Sequence, residues 1–171
     1  MDITKFQINV DQVEPAVGIE QWAKAHMLTL NFPEDTPTFM GIDPGSSFGV
    51  AVIYHGSLGL FWGDLLGDDE VDRMFEASQV SLYYKDVFNP KLTVVEGPAP
   101  KFAYRQAFLG HMRAGFIIGA MPNVLMLPPS TVRMLGFGHG NESGLNLWPR
   151  VNENAIAALG CALAAMKKAP V

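Results

Sequence analysis

Two carboxylates in this sequence each close a short apolar run and are followed at once by a turn. Asp43 ends Phe39-Met40-Gly41-Ile42 and precedes Pro44-Gly45. Glu96 ends Leu92-Thr93-Val94-Val95 and precedes Gly97-Pro98. Apolar runs of this length, bounded by Gly and Pro, read as buried strands. Acids at the ends of neighbouring parallel strands can converge at one sheet edge. Hard oxygen donors converging in that way suit Mg2+, with Mn2+ as a substitute. Each acid taken alone also fits an ordinary turn, because Asp before Pro-Gly is a common turn residue.

The elements that must position these acids follow from the pattern around them. Phe39–Asp43, Phe48–Tyr54 and Leu58–Trp62 are three consecutive β-type runs with short turns, as in an antiparallel meander. The acidic stretch Asp64–Asp72 then opens a helix, roughly Glu70–Val87, with negative charge where the helix dipole favours it. Leu92–Glu96 is a compact strand, Phe102–Met121 a long helix and Val124–Leu127 a last strand stopped by Pro128-Pro129. An Ala-rich helix from about Asn152 to Lys168 closes the chain. Three antiparallel strands and two more reached through helical crossovers predict an α/β fold: a ribonuclease H-like mixed five-stranded sheet, order 3-2-1-4-5, flanked by helices. Residues 1–38 read as an N-terminal extension, with a helical pattern over Ile19–Leu28, and residues 39–171 as the domain proper.

Composition narrows the class. The 171 residues are 49% hydrophobic and 17% charged, which gives ample apolar surface for one packed domain and excludes a disordered chain. No apolar run reaches the roughly 18 residues of a membrane-spanning helix, and the first residues lack a signal-peptide pattern. The single cysteine, Cys161, excludes an intramolecular disulfide and any multi-cysteine zinc site. An intracellular protein is the expectation. Net charge is −5 but unevenly spread: residues 1–76 carry 13 acidic and 3 basic side chains, residues 77–171 carry 4 and 9. That asymmetry allows a polyanion to meet one face, although scattered solubilising lysines would give the same count.

The motifs resemble one family. Met40-Gly-Ile-Asp-Pro-Gly-Ser-Ser-Phe-Gly-Val-Ala-Val-Ile resembles the first-strand signature of RuvC-type Holliday-junction resolvases, and Val94-Val-Glu-Gly-Pro resembles their second acidic strand. Ala107-Phe-Leu-Gly-His-Met-Arg-Ala-Gly-Phe is similar to the helix that follows. Pro128-Pro-Ser-Thr-Val-Arg-Met-Leu-Gly-Phe-Gly is similar to a proline, basic and Gly-x-Gly segment, and Asn154-Ala-Ile-Ala-Ala-Leu-Gly to the closing helix. The resemblance spans residues 39–166 in order. It implies a metal-dependent endonuclease that resolves four-way or other branched DNA as a homodimer, in the cytoplasm of a bacterial or phage-infected cell. Carboxylates would hold two Mg2+ about 4 Å apart, one activating water and one stabilising the leaving oxygen. Asp43 would bridge the metals and Glu96 would hold one.

The sequence departs from that pattern in its closing helix. Where the family brings two further ligands, this chain has Asn154 and Val151. An amide oxygen ligates without charge. Glu153 is acidic but lies about 100° around a helix from its neighbour. Three readings stand open: an Asp-to-Asn change that removes cutting, a shifted helix start that lets Glu153 take over, or a relative that only binds branched DNA. The family's second downstream lysine is also missing from residues 138–144.

Lys101, Arg105, Arg113 and Arg133 are candidate phosphate contacts, and Phe102 and Tyr104 are candidates for stacking on exposed bases. Ala103, Ala107, Gly110 and Ala114 make a smooth helix face for close packing, in a dimer or against the sheet. The run from Gly41 to Ser47 also fits the phosphate loop of actin-like and sugar-kinase ATPases. Those enzymes need a second copy of the fold, for which 171 residues leave no room.

Overall fold

In the runs 39–42, 48–53 and 58–62 neither alternating set of side chains contains a charged or hydroxyl group, which calls for a sheet covered on both faces. The structure, a computed structural model of the chain, describes residues 7–11, 24–29, 35–45, 47–55, 57–97, 104–138 and 153–169. In chain order the elements are β1 (Gln7–Asp11), β2 (Lys24–Thr29), β3 (Phe39–Asp43), β4 (Ser47–Tyr54), β5 (Ser57–Asp64) and α1 (Glu70–Phe88). They continue with β6 (Leu92–Glu96), α2 (Tyr104–Ala120), β7 (Val124–Leu127), α3 (Pro129–Phe137) and α4 (Glu153–Lys168).

The sheet runs β1-β2-β5-β4-β3-β6-β7. Its last five strands have the 3-2-1-4-5 order expected from residue 39 onward. β3, β4 and β5 are antiparallel neighbours, and β6 and β7 join parallel to β3. Alternation divides the core in two. Phe39, Ala51, Ile53, Leu58, Leu60 and Val94 pack under α3 and α4. Met40, Ile42, Phe48, Val50, Val52 and Val95 pack under α1 and α2.

Two strands precede the expected five. β2 lies antiparallel on β5 from Lys24 opposite Trp62 to Thr29 opposite Ser57, and β1 pairs with β2. The helical pattern over Ile19–Leu28 is therefore overruled at Lys24–Leu28, which lie in β2. The edge of β5 offers a row of backbone donors and acceptors, and pairing with it outweighs a weak local helix preference.

The helices stop and start for local reasons. Asp69 caps α1 by accepting a hydrogen bond from the Asp72 N–H at 2.9 Å, and Asn89 ends it in the left-handed conformation. α3 is a helix to which the sequence reading assigned no element: Pro129 occupies its first turn, where a missing N–H costs nothing. α4 is buried almost all round, from Ala155 to Ala165, and small side chains let it sit close to the sheet. No described helix is long and apolar enough to cross a membrane.

Candidate active site

β3 and β6 run parallel with Ile42 opposite Val95, so the next residues, Asp43 and Glu96, end their strands at the same level. They also share a face. Ile42 and Val95 belong to the α1/α2 side, whereas Phe39 and Val94 belong to the α4 side. Strand alternation then turns Asp43 and Glu96 toward α4.

Two glycines bring α4 down onto that face. A Cβ on Gly41 would meet the Ala158 carbonyl oxygen at 2.0 Å, and one on Gly49 would meet the Asn154 carbonyl oxygen at 2.3 Å. Gly49 is the cross-strand partner of Asp43. The contact therefore sets the first turn of α4 beside the Asp43 carboxylate. A Cβ on Gly45 would stand 3.5 Å from Asn154 Oδ1 and 3.6 Å from Asp43 Oδ1. Those oxygens are thus at most about 7 Å apart, within reach of one hydrated divalent ion.

Electrostatics mark Asp43 as the centre. Its pKa rises from 3.8 to about 8, chiefly because the carboxyl loses water on burial and next because Glu96 is close. The Gly45 N–H, donating to Asp43 Oδ1 at 3.2 Å, opposes that rise, and Glu153 adds a smaller push upward. Glu153, although exposed at the start of α4, is therefore felt at Asp43. Cys161 lies behind the acids: its buried thiol is pushed up by burial first and then by Glu96 and Asp43. Among the described residues no three His, Cys, Asp or Glu form a ready metal cluster. The oxygens available are two strand-end carboxylates, the Asn154 amide and the peripheral Glu153.

This donor set fits Mg2+ or Mn2+. All of its ligands are hard oxygens, a small cradle lies over Gly45, and two mutually repelling carboxylates favour a cation beside them.

The loop after β3 is tied down from both sides. Arg113 Nη1 donates to the Pro44 carbonyl oxygen at 3.3 Å, and its Nε donates to Glu70 Oε1 at 2.5 Å. At the other end of the loop the Ser47 hydroxyl donates to Asp64. Sequence reading missed Glu70, Ser47 and Asp64 as supports of the site. It also assigned Arg113 to phosphate, whereas the structure holds that residue at 7% exposure in an ion pair with Glu70.

The remaining candidates divide. Arg133 is exposed on α3. Tyr104 and Arg105 begin α2, and the structure describes their backbone only. Lys101, Phe102, Ala103 and Val151 lie outside the described residues. Of the smooth α2 face, Ala114 packs against the sheet with Ile117 and Met121. The opposite side of α2 is apolar and open: Phe108 is 54% and Phe116 37% exposed, beside Gly115 and Gly119, with Phe75 of α1 against Phe116 at 5.4 Å between ring centroids.

No protein-family model matches the sequence, and no curated protein is similar to it. Among solved structures the chain is similar to T. thermophilus RuvC in complex with a Holliday junction substrate. The TM-score is 0.61 at 20% identity, covering 75% of this chain and 92% of that one. A second structure of Thermus thermophilus RuvC matches with a TM-score of 0.55 at 22% identity, covering 74% and 92%. At such identities the likeness establishes the fold. The chain has the RuvC architecture on the ribonuclease H-like sheet that its element order implies.

Proposed function

We propose that the chain is a metal-dependent, structure-selective endonuclease that resolves four-way or branched DNA junctions by phosphodiester hydrolysis. One observation carries this reading: Asp43 and Glu96 end adjacent parallel strands on one face, with the Asn154 oxygen at the same cradle, in a RuvC fold. Asp43, Glu96 and Asn154 would hold the ions, with Glu153 at the rim. When bound, Mg2+ or Mn2+ supplies a more acidic water and offsets charge building on the phosphate.

The chain's own residues do the rest. Asp43 must lose its proton before it ligates. Asp43 and Glu96 are half-buried beside α4, which limits how far bulk water competes at the carboxylates. Asn154 contributes an oxygen without charge, so the anionic donors offset less of the metal charge than a third carboxylate would. That neutrality favours a second reading, in which the protein binds branched DNA and cuts it slowly or not at all.

Lys101 and Arg105, on either side of the start of α2, and Arg133 on α3 supply phosphate contacts in this proposal, and Phe102 and Tyr104 stack on bases at the branch point. A homodimer would present two sites to two symmetric strands. The open apolar side of α2, with Phe108, Phe116, Gly115 and Gly119, is the surface suited to a second copy. The test is binding and cleavage of a four-way junction and of linear duplex, in Mg2+ and in Mn2+, with Glu96→Gln as control. Preference for the junction with metal-dependent cutting abolished by Glu96→Gln supports the proposal. Equal affinity for both DNAs, or cutting unaffected by Glu96→Gln, overturns it.

A further inference from the structure

The Pro44–Gly45 peptide unit is held at both ends. Its carbonyl oxygen accepts from Arg113 Nη1 at 3.3 Å, and its N–H donates to Asp43 Oδ1 at 3.2 Å. A trans peptide is planar, with C=O and N–H pointing in opposite directions, so fixing the oxygen aims the N–H. A cationic donor on the oxygen also polarises the unit and strengthens the hydrogen bond at its other end.

Arg113 is itself built in. Glu70, the first residue of α1, accepts from Nε at 2.5 Å and pairs with Nη2 as well. The guanidinium therefore spans α2, α1 and the loop after β3 from a nearly buried position. A guanidinium presents several donors in a fixed planar fork that meets a carboxylate and a carbonyl together. A lysine ammonium has three donors on one rotatable nitrogen and cannot span the two acceptors with that geometry.

We propose that Arg113 is a positioning residue for Asp43: through the Pro44–Gly45 peptide it orients the carboxylate for metal, with Glu70 orienting Arg113. This rests on the nuclease reading above. The assignment makes the α1–α2 pair part of the site's support, although neither helix touches the acids' own face of the sheet.

The experiment compares Arg113→Met, Arg113→Lys and the double variant Arg113→Met/Glu70→Leu with the wild type. Mn2+ binding to the DNA-free protein, four-way-junction affinity and thermal melting are each measured. Arg113→Met leaves Glu70 with only the more distant Arg73, 3.7 Å away, and is expected to melt lower. The double variant replaces the pair by apolar groups and is expected to recover that stability. Mn2+ affinity is expected to stay reduced in both, by about 10–100-fold, the usual cost of losing an outer-shell partner. Arg113→Lys is expected to be intermediate. Junction affinity without metal is expected to be unchanged in all three. A double variant that regains wild-type Mn2+ affinity together with stability would show a purely structural role and overturn the assignment. A wild type that binds the junction but no Mn2+ would instead overturn the metal-nuclease reading, and this inference with it.

Discussion

Gly49 and Asn154 are in backbone contact: a Cβ on Gly49 would lie 2.3 Å from the Asn154 carbonyl oxygen and 2.7 Å from its carbonyl carbon. Because Gly49 pairs with Asp43 across β3 and β4, this contact fixes how far the α4 amide stands from the strand-end carboxylate.

Gly49→Ala is therefore expected to displace the start of α4. Overpacking against backbone costs about 1–3 kcal/mol, and chemical denaturation should show that loss. Mn2+ affinity should fall with it. Unchanged stability and unchanged Mn2+ affinity would mean that α4 does not sit on Gly49 as described.

The Asp43 carboxyl links stability to pH. Its folded pKa of about 8 lies above its ordinary 3.8, so between those values the folded state binds more protons than the unfolded one. Stability of the metal-free protein therefore falls as pH rises from about 4 and levels off above about 8. Asp43→Asn removes this dependence. It is expected to melt a few degrees higher than wild type at pH 8.5 without metal, on a scale of about 2–4 °C per kcal/mol for a chain of this size. The difference should vanish near pH 4. In the wild type, Mn2+ affinity should climb with pH up to about 8, because the proton must leave first. Equal melting of the two proteins at pH 8.5 would contradict the electrostatic account of the site.

Gly119 faces open space, with nothing within 4 Å of an added Cβ. Gly119→Glu should leave the fold intact and make the protein monomeric in sedimentation at micromolar concentration. A wild type that sediments as a monomer with or without junction DNA would remove α2 as a dimer surface.

How much of this was legible beforehand depends on the range of the interactions. Asp43 and Glu96 could be read from a strand ended by an acid and a turn, a signal contained within a few residues. The last five strands were legible as the same kind of local run, and their order came from the ribonuclease H-like arrangement that the succession of elements matched. β2 could not be read, because what makes Lys24–Thr29 a strand is the open edge of β5, whose paired residues lie 28 to 38 positions later in the chain. Arg113 was legible as a basic residue on a helix, but its partners Glu70 and Pro44 are 43 and 69 residues away. Only the folded chain brings them together.

Arg133→Ala, on the exposed side of α3, is expected to weaken junction binding without changing which DNA structures are preferred. The slope of log affinity against log salt should fall by about one, as for the loss of a single phosphate contact. An altered preference between branched and linear DNA would give Arg133 a recognition role instead.

The central claim is that position 154 supplies the third metal-facing oxygen of a nuclease site, and that its neutrality limits cutting. The most direct measurement is the rate of four-way-junction cleavage, in Mg2+ and in Mn2+, by this chain and by Asn154→Asp at equal junction occupancy. The account predicts slow or absent cleavage by this chain and a gain of at least about tenfold in the Asp variant, because even the outer-shell partners of a metal ligand are worth that much. Fast cleavage by this chain that Glu153→Gln abolishes and Asn154→Asp leaves unchanged would contradict it, by giving the ligand role to Glu153.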